Sequence, residues 1–341
     1  MVQVVYNKNK VREIMDVMVA KTMSMELKWG WPCGVAYYGV AKVYEVTKQE
    51  EYLTALRTRM DELITVGFPG YNVNACAMGH VLISLYKATG EERYWSLALS
   101  KLSFLRTKAL RFGEGILQHT VSSFNNDFPE QAWADTLFMA VFFMLRMGVI
   151  LSDDDIINEA LDQYCWHIKY LQDEDRGLWY HGYDHIKKDH MSGIFWGRAN
   201  AWAVYTISQI SKILPMAHLY PQYADIQCAL SNHICALIEV QTQNGLWRTV
   251  LDVPSSYEEL SASAGIASAL VINGDPLHKS YIQKAHVGIM ENIADDGTLK
   301  NVSEGTAVMP DLNGYQSVPR ERPQGWGQGL ALAYLADIWK S

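Results

Sequence analysis

The chain has little that would tie it to metals, disulfides or polyanions. Its 341 residues include five cysteines, Cys33, Cys76, Cys165, Cys228 and Cys235, an odd number with no close Cys-x-x-Cys pair. That excludes a disulfide framework or a zinc ribbon as the organising device and favours a reducing compartment, the cytoplasm. Basic residues number 29 against 37 acidic, a net charge of −8. A broad basic face for nucleic acid is therefore not expected. The longest apolar run, residues 136–145, stops at Arg146, well short of the roughly 18 to 20 residues that span a bilayer. The first twenty residues carry Lys8, Lys10 and Arg12 but no apolar segment leading to a small-residue cleavage site, so neither a membrane anchor nor a secretory leader is expected. No glycine-rich nucleotide loop and no sustained alternation of strand type are present.

What remains is an apolar, aromatic chain: 49% apolar residues, 19% charged, 11 Trp and 19 Tyr. The composition is that of a packed globular protein. Indoles in pockets stack on sugar rings and otherwise fill cores. Length alone allows two domains.

Apolar residues recur at helical spacing. Breakers and caps delimit twelve expected helices, at 7–24, 34–47, 50–66, 74–89, 91–107, 132–149, 153–171, 196–212, 219–241, 260–273, 277–293 and 325–340. The connections are of two kinds. Short ones run 47–50, 88–91, 151–154 and 273–276, whereas long ones rich in Gly, Trp, His and Pro precede the even-numbered helices. Four turns of related form, at Gly115, Gly177, Gly245 and Gly297, lie in those long connections. The following helices open near Asp135, Arg198, Ser261 and Gln328, at intervals of 63, 63 and 67 residues, and Asn74 lies 61 before the first. A period near 60 holding two helices is a repeated helical hairpin. Small residues collect in the even helices, as in Ser261-Ala-Ser-Ala-Gly265 and Gly325-Trp-Gly-Gln-Gly329. The even helices are therefore expected inside and the more charged odd helices outside. The expected fold is all-α, an (α/α)6 barrel of six hairpins filling residues 1–341 as one domain, its long loops on one rim; an open solenoid is the alternative.

The rim would gather Trp31, Cys33, Asn74, His80, Trp133, Asp135, His181, Trp196, Arg198, Trp202, Ser261, Ser263, Trp326 and Gln328. One carboxylate, one guanidinium and several indoles suit an anionic sugar. A carboxyl among indoles gains pKa by desolvation, while a helix N-terminus lowers it, and sequence does not say which prevails. Asp135 reads equally as a general acid or as a first-turn acid of its helix. Arg198, flanked by glycine and alanine, offers a fork for a carboxylate, and reads equally as a structural ion pair. Trp196 and Trp202 stand six apart, so one of them is expected in the core. His181, His185 and His190 with Asp184 and Asp189 lack compact zinc-ligand spacing, and neither a metal nor another cofactor is called for. His181 is better placed to bond a sugar hydroxyl or assist a proton. Ser261 and Ser263 lack a nucleophile elbow and read as packing residues. Cys228 and Cys235, seven apart, read as core.

The segments Trp133-Ala-Asp135-Thr-Leu-Phe-Met139, Trp196-Gly-Arg198-Ala-Asn-Ala-Trp202 and Gly325-Trp-Gly-Gln-Gly-Leu-Ala-Leu332, in that order and spacing, resemble the unsaturated rhamnogalacturonyl hydrolases of glycoside hydrolase family 105. The resemblance runs from about residue 10 to the C-terminus. It implies an (α/α)6 barrel and a small substrate, a disaccharide bearing a 4,5-unsaturated galacturonic acid at its non-reducing end. It implies Asp135 as the acid that protonates C4 and takes a proton from the water adding at C5. It places Asn74, Trp133, His181, Trp196, Arg198 and Trp202 around the uronate. One departure is visible: Asn74 stands where many relatives carry a second Asp. The related alternatives are an unsaturated glucuronyl hydrolase and a sugar-binding toroid without turnover.

Overall fold

A computed structural model describes residues 7–67 and 70–340; the first six residues of the N-terminal stretch weighed above as a leader lie outside the described part. Among the described residues, thirteen α-helices account for most of the length: α1 Lys8–Ser24, α2 Trp31–Thr47, α3 Glu50–Val66, α4 Met78–Thr89, α5 Glu92–Thr107, α6 Phe142–Leu151, α7 Asp154–Leu171, α8 Gly197–Ile213, α9 Tyr223–Glu239, α10 Leu260–Asn273, α11 Lys279–Glu291, α12 Leu312–Gln316 and α13 Gly325–Lys340. Local chemistry sets many of the boundaries. Asn7 and Asp153 cap α1 and α7 through their side chains, Pro32 sits in the first turn of α2, and Gly90 and Gly274 end α4 and α10 in left-handed conformations.

Two kinds of helix are present. In α8 every residue from Gly197 to Ile210 is buried, and in α13 every residue from Gly325 to Ile338. By contrast α3 buries only Tyr52, Leu53, Leu56, Met60 and Leu63, and α11 only Ile282, Ala285, Gly288 and Ile289. A helix buried all round belongs to an interior layer and one with a single apolar stripe covers it. The inner layer is α2, α4, α6, α8, α10 and α13, in which α13 packs against both α10 and α2. That last contact closes the ring, giving the six-hairpin helical toroid expected from the repeat. Small residues make the closure possible: a Cβ on Gly329 would run into the Val35 carbonyl, and one on Gly39 into Gly329. No helix of the described residues is long and apolar enough to cross a membrane.

Three features depart from the sequence expectation. The helix expected over 132–149 opens instead as a strand, β3 Gln131–Trp133, followed by a π-helical turn at Leu137–Val141 before α6. β3 pairs antiparallel with β4 Gly182–Asp184, Trp133 opposite Gly182; a second small ribbon joins β1 Arg111–Phe112 to β2 Ile116–Leu117. Ribbons two or three residues long are too short to show an alternating pattern. The short helix α12 lies within the long connection 292–324, where no element is expected. Finally, Cys228 and Cys235 are exposed on the outer helix α9 and are not core residues, while Cys33 and Cys76 are buried.

Candidate active site

The β3–β4 ribbon builds the centre of the site. Residue 134 continues the pairing, its backbone N–H donating to the His181 carbonyl at 3.0 Å. Asp135 follows at once, ahead of the π-helical segment that begins at Leu137, and stands beside the imidazole, with His181 Nε2 3.2 Å from Asp135 Oδ2. A π-turn at this point re-aims the side chains of one helical turn, a device that recurs at functional sites. The Asp135 carboxylate keeps 15% side-chain exposure, whereas the His181 ring has 1%.

Aromatic rings enclose the pair. Trp196, at the start of α8, lies against His181 with centroids 4.1 Å apart. Trp133 meets His181 edge-on at 5.4 Å and stacks flat on His119 at 4.5 Å and 8°. Its indole N–H donates to Gln131 Oε1. His119 in turn bonds Thr136 Oγ1 through Nδ1 at 3.0 Å. Tyr315, on α12, reaches His181 Nδ1 with its hydroxyl at 2.8 Å. Asn74 opens a 3₁₀ turn that packs against the π-turn, its N–H bonded to the Thr120 carbonyl. Its buried Oδ1 has no hydrogen-bond partner among the described residues, an unmet acceptor of a kind that proteins seldom leave without a purpose.

The competition between desolvation and local charge at Asp135 resolves downward. Burial pushes its carboxyl up, but the His181 hydrogen bond, together with the charges of His181, His119 and Arg198, outweighs it and leaves the pKa below the ordinary value. Burial lowers His181 below its ordinary value in spite of Asp135, and it lowers His119 to about 4. Near neutral pH the free site therefore holds a carboxylate beside two neutral imidazoles.

Arg198 occupies a different place from the open fork that the sequence suggested. Its guanidinium is 1% exposed and pairs with Glu259, itself wholly buried, at 3.3 Å. It also donates to Ser261 Oγ, to the carbonyls of Ser303 and Glu304, and to the hydroxyls of Ser303 and Thr306. Its plane lies over Trp196 at 4.4 Å, and Trp326, stacked on Trp31, stands 5.5 Å away. A fork so filled has no bidentate face left for a substrate carboxylate; Arg198 is the structural ion pair of the two readings. Glu259 also caps α10 by accepting from Ala262 N, so the pair ties α8, α10 and the connection 303–306 together beneath the site. Trp202 is likewise not at the site. It is fully buried against Phe138 in the barrel interior, as the spacing of six residues from Trp196 required of one of the two.

His80 is buried on α4, bonded to the Phe138 carbonyl and to Arg146, and Gln328 bonds the backbone of Gly297 and Leu299. His190 bonds the Tyr170 carbonyl. Among the described residues, no group of three or more His, Cys, Asp or Glu side chains is placed to hold a metal ion. Sequence reasoning missed His119, Tyr315 and Glu259. His119 lay directly after the Gly115-Ile-Leu-Gln118 turn, a repeat already singled out, and that was its signal; the other two sit in or beside long connections without a pattern.

The whole chain has known counterparts. Residues 5–341 match the model of Glycosyl Hydrolase Family 88. The chain is 45% identical over 341 residues, 100% of its own length and 98% of the other's, to the unsaturated rhamnogalacturonyl hydrolase YesR of Bacillus subtilis. Its fold superimposes with a TM-score of 0.92 on a structure described as a possible member of the GH105 family from Salmonella enterica, at 24% identity and covering 100% and 96% of the two chains. With a TM-score of 0.70, at 18% identity and over 97% and 96% of the chains, it also matches an unsaturated glucuronyl hydrolase of Bacillus sp. responsible for glycosaminoglycan degradation. The chain thus belongs to Glycosyl Hydrolase Family 88, on the toroidal fold shared with the GH105 structure.

Proposed function

We propose that the protein is an unsaturated rhamnogalacturonyl hydrolase that removes 4-deoxy-4,5-unsaturated galacturonic acid from the non-reducing end of a rhamnogalacturonan disaccharide. The observation that carries this reading is the part-exposed Asp135 carboxylate beside a neutral His181. A conventional glycosidase sets two carboxyl groups across the scissile bond, and here the other carboxylate of the site, Glu259, is wholly buried against Arg198. Hydration of a double bond needs one proton carrier. The identity to YesR over the full chain supports the same substrate class.

In this mechanism Asp135, protonated, gives its proton to C4 of the enol ether, and positive charge develops at C5 and the ring oxygen. Water adds to C5 and returns a proton to the Asp135 carboxylate, so the acid is regenerated and one water has been consumed. The hemiketal at C5 opens to a ketone as the ring C–O bond breaks, and the hemiacetal left at C1 expels the second sugar. The free site holds Asp135 ionised; the uronate carboxylate, arriving as a like charge, raises the pKa of Asp135 and so favours uptake of the proton it must deliver. Trp133 and Trp196 offer flat faces to the sugar, and the unpaired Asn74 Oδ1 accepts from a sugar hydroxyl. The whole of residues 1–341 acts as one catalytic domain in this reading. A cytoplasmic location is supported by five free thiols, two of them exposed.

A panel of unsaturated disaccharides tests the assignment. Loss of the ultraviolet absorbance of the conjugated double bond is expected fastest with the rhamnose-linked galacturonyl substrate. Faster loss with glucuronyl substrates from glycosaminoglycans would reassign the enzyme, and no loss with any of them would end the hydrolase reading.

A further inference from the structure

We infer that Tyr315 is a positioning residue that locks His181 in the tautomer bearing its proton on Nε2, and so aims that proton at Asp135. The inference rests on the reading of Asp135 as the proton carrier. Its geometry is a chain of three groups: Tyr315 Oη lies 2.8 Å from His181 Nδ1, and His181 Nε2 lies 3.2 Å from Asp135 Oδ2. A neutral imidazole carries one proton, so one ring nitrogen donates and the other accepts. A carboxylate can only accept, which calls for a proton on Nε2. The phenol decides whether Nδ1 is free to accept it. Burial raises the Tyr315 pKa to about 12, so the hydroxyl keeps its proton. Ser192 Oγ, 3.5 Å from the same oxygen, can take either role, whereas Nδ1 at 2.8 Å can only accept once the ring proton is on Nε2, so the phenolic hydrogen goes to His181.

The direction of the chain matters for the reaction. If Nδ1 already receives a hydrogen bond, protonating His181 requires the phenol to turn away, so the imidazole resists becoming an imidazolium beside Asp135. A cation there would hold Asp135 ionised and oppose its service as an acid. The charged and titratable groups that act on Asp135 are His181, His119 and Arg198, and those that act on His181 are Asp135 and Arg198. Arg198 is bound to Glu259 and His119 is buried and neutral. His181 is the member of the set whose charge the phenol governs.

Tyr315 comes from the one helix that the repeat did not announce. α12 is five residues long, with Asp311 Oδ1 accepting from Gly314 N at its start. It belongs to the same connection whose residues 303, 304 and 306 are fastened to Arg198. The buried ion pair thereby holds the segment that delivers the phenol.

Tyr315→Phe retains the ring and removes only the hydroxyl. Nitrogen-15 NMR of the histidines in the free protein is expected to show His181 protonated on Nε2 in the wild type. In Tyr315→Phe the same ring is expected to show a mixture of tautomers and to titrate at higher pH. On the unsaturated disaccharide the variant is expected to lose roughly 10- to 100-fold in kcat, a part of what a positioned proton-transfer group supplies, with KM within about twofold and the acid limb of kcat displaced. A wild-type His181 protonated on Nδ1, or a Tyr315→Phe protein with unchanged tautomer and unchanged kcat, would overturn the inference. An inactive wild type with the expected tautomer would instead overturn the substrate reading and leave the lock standing, so the two failures are distinguishable.

Discussion

The two mouths of the barrel are made by opposite ends of the same six inner helices, and they differ in what those ends collect. At one mouth the helix N-termini meet the long connections and hold carboxylates, Asp135 just ahead of the π-turn and Glu259 as the cap of α10. At the other, α2, α4 and α6 carry cations around a cavity of about 400 Å³ lined by Tyr38, Lys42, Glu45, Lys87, Arg146 and Gln209, among others. Of these cations only Lys87 stands in the last turn of its helix, where the helix dipole favours positive charge. At the cationic mouth Lys42 is paired with the buried Asp337 at 2.8 Å, and Arg146 donates to His80 Nδ1, the His80 carbonyl and Ser84. Volume alone therefore does not make a site. Both mouths have recesses and charge, but only the loop-bearing mouth places a part-exposed carboxylate against a neutral imidazole inside a ring of indoles.

The largest change is expected at Asp135. Asp135→Asn is expected to lower turnover by about 10³-fold, within the range that positioned proton-transfer groups supply, while leaving thermal stability near wild type; retained turnover would place the chemistry elsewhere. Glu259→Ala strands the Arg198 charge in the interior and is expected to destabilise the fold by about 3–5 kcal/mol, read as a lower urea midpoint. An unchanged midpoint would return Arg198 to the role of a free fork. A third effect is tied to pH. Burial holds His119 at about 4 in the fold, against about 6.5 in the unfolded chain. Above pH 6.5 both forms are neutral and the fold keeps its full stability. Between 6.5 and 4 the unfolded chain takes up a proton that the fold refuses, so stability is lost as pH falls, by about 3 kcal/mol from this group. Urea midpoints at pH 7 and 4.5 are expected to differ less in His119→Gln than in the wild type. The smallest effect belongs to the opposite mouth: Lys87, exposed and with its pKa lowered by burial and by Arg146, is expected on replacement by Gln to change stability by less than about 0.5 kcal/mol and turnover not at all.

Much of this was legible in the chain, for identifiable reasons. The repeat near 60 residues and the small residues of the even helices announce an inner layer, because helices buried all round need glycine and alanine at their crossings, as Gly329 against Val35 shows. Asp135, His181 and the neighbouring tryptophans stood out because they open or precede inner helices. The partners of Arg198 did not. They lie 61 to 108 residues further along the chain, and only tertiary structure tells a free guanidinium from a satisfied one. The β3–β4 ribbon that sets Asp135 beside His181 is three residues per strand, too short for periodicity to register. Cys228 and Cys235 share a helix face at a spacing of seven, but the spacing does not say whether that face looks inward, and on α9 it looks out.

Cleavage of the sugar by one carboxylate that hydrates its double bond can be followed in deuterium oxide. Absorbance of the double bond and release of the second sugar would be recorded together, with proton NMR of the uronate product at C4. The mechanism predicts equal rates for both signals in the wild type, one deuterium delivered to a single face of C4, and neither signal in Asp135→Asn. Release of the second sugar with the double-bond absorbance intact would contradict it.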